Sequence, residues 1–144
     1  GGIDSVADTT KRLPKIPGVK KLVYTHVSMP MTAIEDFAAL GANVLKLKPC
    51  IEVKNGKMEV GKKYRGNFEK VIIQYVTDRL KDRDDIDYKR IFVTHPIVPL
   101  EIVDNVVKAV KSLGPFKEVI VTRAGGTIST HCGPVCLGVL FYRK

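Results

Sequence analysis

The sequence predicts a two-layer α/β sandwich, a mixed sheet of about six strands with helices on one face. Three observations carry this. Asn55-Gly56 joins two strand-like segments and is the strongest short hairpin signal. Residues 67–80 and 99–112 repeat apolar side chains at three- and four-residue spacing, the mark of amphipathic helices. Short β-branched segments stand between and after them, as βαβ-type connections require.

Residues 4–15 carry Val6 and Leu13 among polar residues, a weak helical pattern interrupted by Pro14 and Pro17. Residues 1–20 are therefore read as a linker or lead-in, and residues 21–144 as the folded domain. Lys20 to Val27 is rich in β-branched and aromatic residues and is expected to be a strand, broken by Ser28, Met29 and Pro30. Thr32 with Glu35 three positions later forms a capping box, so a helix is expected through Leu40, stopped by Gly41. Val44 to Val53 and Lys57 to Lys63 are the hairpin strands. Pro49 inside the first demands an edge, a bulge or a bend, because it cannot donate to a ladder. The helix over 67–80 buries Phe68, Val71, Ile72, Tyr75, Val76 and Leu80, and the charged stretch Lys81 to Asp87 ends it. Arg90 to His95 reads as a short buried strand. Pro99 to Ser112 follows as a helix with proline at its start and Gly114-Pro115 beyond its end. Lys117 to Thr122 and Val135 to Tyr142 complete the strands, with a loop containing His131 between them. Helices on one face leave the other face in need of a cover.

At 144 residues with 44% apolar content, the chain is one domain that can bury a core. No run approaches the length of a membrane span and no signal-peptide pattern opens the chain, so a cytoplasmic, soluble protein is expected. The chain begins Gly-Gly-Ile without methionine, which fits a processed product, an expression scar or a piece of something longer. Twenty-four Lys and Arg against fifteen Asp and Glu give a formal charge of +9, favouring anionic partners without choosing among them. The lysines are scattered and no zinc-finger, helix-turn-helix or aromatic RNA-binding signature accompanies them, so nucleic acid is not the expected partner. Three cysteines, an odd number, point to reduced thiols. Cys132 and Cys136 beside His131 have a spacing that zinc could use, but no second ligand pair accompanies them and no metal is expected.

His131 stands in Thr130-His131-Cys132-Gly133-Pro134, just before an apolar strand. Gly125-Gly126 lacks both phosphate-loop patterns, and a strand rather than a helix is expected after it. Ser129 and Thr130 invite a nucleophile-and-base reading, but the nucleophile-elbow pattern is absent and strand geometry offers no attack. Two readings of His131 remain: a ring bonded into its loop to hold it, or an imidazole presented to an anionic oxygen, with flanking glycines that let a ligand approach.

The segment Gly-Thr-Ile-Ser-Thr-His-Cys-Gly-Pro-Val-Cys-Leu-Gly-Val-Leu-Phe resembles the closing motif of the DegV family, bacterial fatty-acid-binding proteins. Leu45-Lys-Leu-Lys-Pro-Cys-Ile-Glu-Val with Asn55-Gly-Lys is similar to the family's Ile-Lys-Pro strand and Asp-Gly-Lys turn, and Tyr64-Arg-Gly to its Arg-Gly step into a helix. The resemblance covers residues 44–141, the family's C-terminal domain. It implies a two-layer domain whose motif histidine holds the carboxylate of a long-chain fatty acid, with hydroxyls from an N-terminal domain that has no counterpart in this sequence. It also implies a carrier without turnover of its own, presenting the acid to the ATP-binding subunit of a fatty acid kinase. On that resemblance His131 contacts the head group, Thr130 and Gly133 shape its pocket, and Arg65 lies near the head group or the kinase contact; no cofactor is implied. Val135 stands where the family has the second glycine of Gly-Pro-Gly, and the family's Gly-Gly-Arg-Ile is not found in residues 25–32. Leu45, Leu47, Phe68, Ile72, Val107 and Leu140 could line an acyl tunnel, but core packing is the ordinary explanation for such residues. The alternative is a basic α/β module that binds nucleic acid or an acidic protein, with His131 structural.

Overall fold

The computed structural model describes residues 21–28, 47–54, 57–126, 129, 132 and 135–144. Six strands, β1 (Lys21–Ser28), β2 (Leu47–Lys54), β3 (Lys57–Arg65), β4 (Ile86–His95), β5 (Glu118–Arg123) and β6 (Cys136–Arg143), form one sheet in the order β3-β2-β1-β6-β4-β5. Two described helices, α1 (Phe68–Leu80) and α2 (Leu100–Leu113), complete the two-layer mixed α/β architecture. β4 and β5 pair in parallel, joined through α2, while every other described pair is antiparallel. The expected helix at 32–40 and the linker at 1–20 lie outside the described residues, as does the Asn55-Gly56 turn. The strands flanking that turn pair antiparallel with Lys54 opposite Lys57, which is what a two-residue hairpin loop requires.

The helices lie on one face because their apolar stripes share a core with alternate residues of the strands. Val71, Ile72, Tyr75, Val76 and Leu80 of α1 join Val106 and Val110 of α2 against Ile91, Val93, Leu137, Val139 and Phe141. Each such fully buried side chain contributes roughly 1.5–3 kcal/mol of transfer free energy, before conformational entropy is subtracted. Asn67 caps α1, its Oδ1 accepting from the Glu69 N–H at 2.8 Å. Gly66 precedes it at φ 130°, a conformation that favours glycine and turns the chain from β3 into α1. Pro99 fills the corresponding place for α2, its carbonyl accepting from Ile102 and Val103.

Two details refine the sequence expectation. Pro49 sits at a register irregularity between Pro49 and Ile51 in an interior strand, so the bulge, rather than an edge, accommodates it. β4 begins at Ile86, inside the stretch expected only to end a helix. A second irregularity between Asp87 and Ile91 lets Ile86 and Asp87 pair with Arg143 and Tyr142 despite the intervening charges.

Across β5, β4 and β6, Ile120, Phe92 and Leu140 stand in direct register on the face away from the described helices. All three are half-buried.

Candidate functional site

One end of the sheet gathers most of the chemistry. β3 finishes there at Arg65, opposite Leu47 at the start of β2. β1 finishes there at Ser28, opposite Cys136 at the start of β6, and the parallel pair finishes there at His95 and Arg123. Since α1 follows β3 and α2 follows β4, both helix N-termini meet the same end. Helix N-termini carry partial positive charge, so two of them with Arg65 and Arg123 make this the anion-favouring end of the molecule, moderated by Glu69 and Glu101 in the first helical turns.

Thr130, His131 and Gly133, the expected head-group residues, lie outside the described residues. Their described flanks are at this sheet end. Ser129 donates both its N–H and its Oγ–H to the Gly125 carbonyl, each at 3.1 Å, and Gly126, Ser129 and Cys132 have helical backbone. The expectation of strand after Gly125-Gly126 is thus corrected: an i to i+4 bond turns the chain as soon as β5 ends. The neighbouring Cys132 thiol, together with burial, pushes the Cys136 thiol up and leaves it protonated. All three cysteines carry free thiols, and no group of three metal-ligating side chains occurs among the described residues.

Arg65 is exposed and shares this end, but three strand spacings, roughly 14 Å, separate β3 from β6. It is therefore not a neighbour of β6. Two residues that sequence reading did not assign to the head group are closer. His95 and Arg123 are register partners at the ends of β4 and β5, and the Arg123 guanidinium donates to the Pro96 carbonyl at 3.1 Å. Their signal was available, since ligands of α/β sheets sit beyond the carboxyl ends of parallel strands. One residue earlier, the Thr94 and Thr122 hydroxyls hydrogen-bond at 2.7 Å on the face away from the helices.

The surface beyond these threonines changes character. Gly138 is in register with Thr94, and the next row is Leu140, Phe92 and Ile120. A polar, cation-rich end thus gives way along the open face to an apolar row, an arrangement suited to an amphiphile with an anionic head. Of the positions considered for a tunnel, Ile72 belongs to the core beneath the helices, Phe68 and Val107 pack against that core, and Leu140 alone is in the open-face row. Leu47 is half-buried at the start of β2, and Leu45 lies outside the described residues.

The helix-side polar groups are structural by their partners. Arg79 pairs with Glu52 and donates to the Cys50 thiol, and Tyr64 and Lys62 both donate to Asp78, at 2.8 and 2.6 Å. No described helix is long and apolar enough to cross a membrane.

Residues 33–144 match the DegV family of uncharacterised proteins. A DegV family protein from Eubacterium eligens, solved with heptadecanoic acid, superposes with a TM-score of 0.69 at 16% identity over 98% of this chain and 49% of that one. The Fatty Acid Kinase (Fak) B3 protein of Streptococcus pneumoniae, solved with linoleic acid, gives a TM-score of 0.71 at 13% identity over 98% of this chain and 50% of that one. The chain thus spans about half the length of these structures. Two curated relatives match a shorter stretch: the Escherichia coli uncharacterized protein YggP, 58% identical over 41 residues, and the Aliivibrio fischeri mannitol-1-phosphate 5-dehydrogenase, 45% identical over 40 residues. Each of these matches covers 28% of this chain and 10% of the relative.

Proposed function

This chain belongs to the DegV family, and from that premise we propose that it is the lipid-binding C-terminal half of a fatty-acid carrier. The carboxylate of a long-chain acid would be held by His131 at the cation-rich sheet end, in a pocket shaped by Thr130 and Gly133. Its tail would run over the open face. The observation that carries this reading is the half-buried apolar row of Leu140, Phe92 and Ile120 on that face, lying between the Thr94–Thr122 pair at the sheet end and the exposed Arg90–Glu118 ion pair. A solvated sheet face is ordinarily polar, so a half-buried apolar row on it calls for a cover.

The likeness to proteins solved with heptadecanoic and linoleic acids supports the ligand class. The likeness to a fatty acid kinase B protein supports a partner kinase subunit that phosphorylates the bound carboxylate. Arg65, exposed and set apart from β6, suits a contact with that partner better than a share in the head group. In this reading the carrier performs no chemistry: it orients a carboxylate oxygen and keeps the tail from water.

The test uses the complete protein that contains this chain, purified from a bacterial host and weighed intact under native conditions. A co-purifying mass equal to a long-chain acid is expected, and His131→Ala should reduce both its retention and its phosphorylation by the partner kinase. Unchanged retention and phosphorylation in that variant would show that His131 does not hold the head group. Salt-sensitive binding to generic DNA with no lipid retained would favour a basic binding module instead.

A further inference from the structure

His95 closes β4 with only 5% of its surface exposed, and among the described residues its Nδ1 has no hydrogen-bond partner. A buried polar atom without a partner costs free energy, and such atoms in folded proteins call for an explanation. Beside it, Arg123 gives one hydrogen bond to a neutral carbonyl, that of Pro96, and among the described residues no carboxylate pairs with its guanidinium. The two residues cannot drift apart, because they are register partners and the Ala124 N–H donates to the His95 carbonyl at 2.9 Å. Burial and the nearby guanidinium hold the His95 imidazole below its usual protonation range. Among the described residues, nothing negative stands between this arginine and this histidine. Glu101, in the first turn of α2, is the nearest acid in sequence after His95 and is exposed.

We infer that the carboxyl ends of β4 and β5 form a phosphoryl-binding point, in which Arg123 and His95 share the oxygens of one phosphoryl group. The guanidinium has further N–H donors beyond the one given to Pro96, and it exchanges a neutral acceptor for a charged one with gain. A phosphoryl dianion suits the pair better than a carboxylate. Its charge matches Arg123 plus a His95 that takes up a proton on binding, and its tetrahedral oxygens span two donors on adjacent strands, roughly 5 Å apart. The N-terminus of α2, just beyond, adds its dipole in the same sense. The use of this point rests on the carrier reading: the phosphoryl group would be that of the acyl phosphate made from the bound acid, and His95 and Arg123 would retain the product after transfer.

The test follows the imidazole directly. In the complete chain with isotope-labelled histidine, the His95 ring is titrated by NMR in sodium chloride, in inorganic phosphate and in acetyl phosphate, all at one ionic strength. Both phosphoryl compounds should raise the proton affinity of His95 about tenfold or more. Arg123→Gln, a change at an exposed side chain, should raise the half-saturating phosphate concentration about tenfold. A His95 signal that responds to phosphate no more than to chloride, or equally in Arg123→Gln, overturns the site. A response to inorganic phosphate alone sustains the anion point and overturns its use for an acyl phosphate. Fatty-acid retention in the same preparation is scored separately, so loss of the carrier reading and loss of the phosphoryl point are distinct results.

Discussion

At the scale of single residues, Tyr75 shows how much one hydroxyl can hold. It is fully buried under α1, and the Val139 N–H of β6 donates to its oxygen at 3.2 Å. Tyr75→Phe removes the acceptor while preserving volume, so a buried backbone N–H loses a partner. The expected cost is about 1–3 kcal/mol by chemical denaturation, and a loss below measurement would mean that the N–H is satisfied elsewhere. Asp85 sets the acid sensitivity of the sheet's other end. Hydrogen bonds from Arg83 and Arg143, the first at 2.9 Å, lower its carboxyl to about 2. A carboxyl depressed on folding stabilises the fold above the ordinary carboxylate range and ceases to do so as pH falls through its folded value. Asp85→Asn should therefore be less stable than the wild type near neutrality, by under about 1 kcal/mol for a partly exposed group, and the gap should close near pH 2. A gap independent of pH would assign the effect to packing.

At the scale of elements, the hairpin depends on a missing side chain. A Cβ at Gly61 would run into the Glu52 carboxylate, the partner of Arg79. Gly61→Ala should displace that carboxylate, leaving a half-buried guanidinium poorly paired, at a cost of about 1–3 kcal/mol. In a Glu52→Gln background the same alanine should cost little, and equal losses in both backgrounds would rule out the coupling. The sequence made the hairpin legible because Asn-Gly specifies its own turn locally. It could not show why Gly61 follows, since the reason is a glutamate on the neighbouring strand and an arginine on α1. The early start of β4 was hidden for a related reason. Residues 86–90 look like part of a charged loop until Arg143 and Tyr142 of β6 are set beside Ile86 and Asp87.

At the scale of the whole molecule, the two sheet faces should respond differently to loss of side chains. Phe141 and Leu140 are adjacent in β6 and face opposite ways. Phe141→Ala empties the core beneath the helices and should cost about 3–5 kcal/mol. Leu140→Ala should cost less than half as much in the lipid-free protein, yet lower fatty-acid retention in the complete carrier. Equal destabilisation by the two substitutions, with retention unaffected by Leu140→Ala, would remove the open face from the binding surface.

The sequence by itself determined the elements and their layering, because hydrophobic periodicity, capping residues and an Asn-Gly turn act over a few neighbouring residues. It also singled out the histidine motif, whose pattern is contiguous in the chain. What only the tertiary structure decided is which distant residues share one end of the sheet. Arg65, Ser28, Cys136, His95 and Arg123 are brought there by strand order and register. That gathering depends on pairings between strands far apart in sequence, and the placing of His95 opposite Arg123 depends on the register of β4 against β5, which no local pattern encodes.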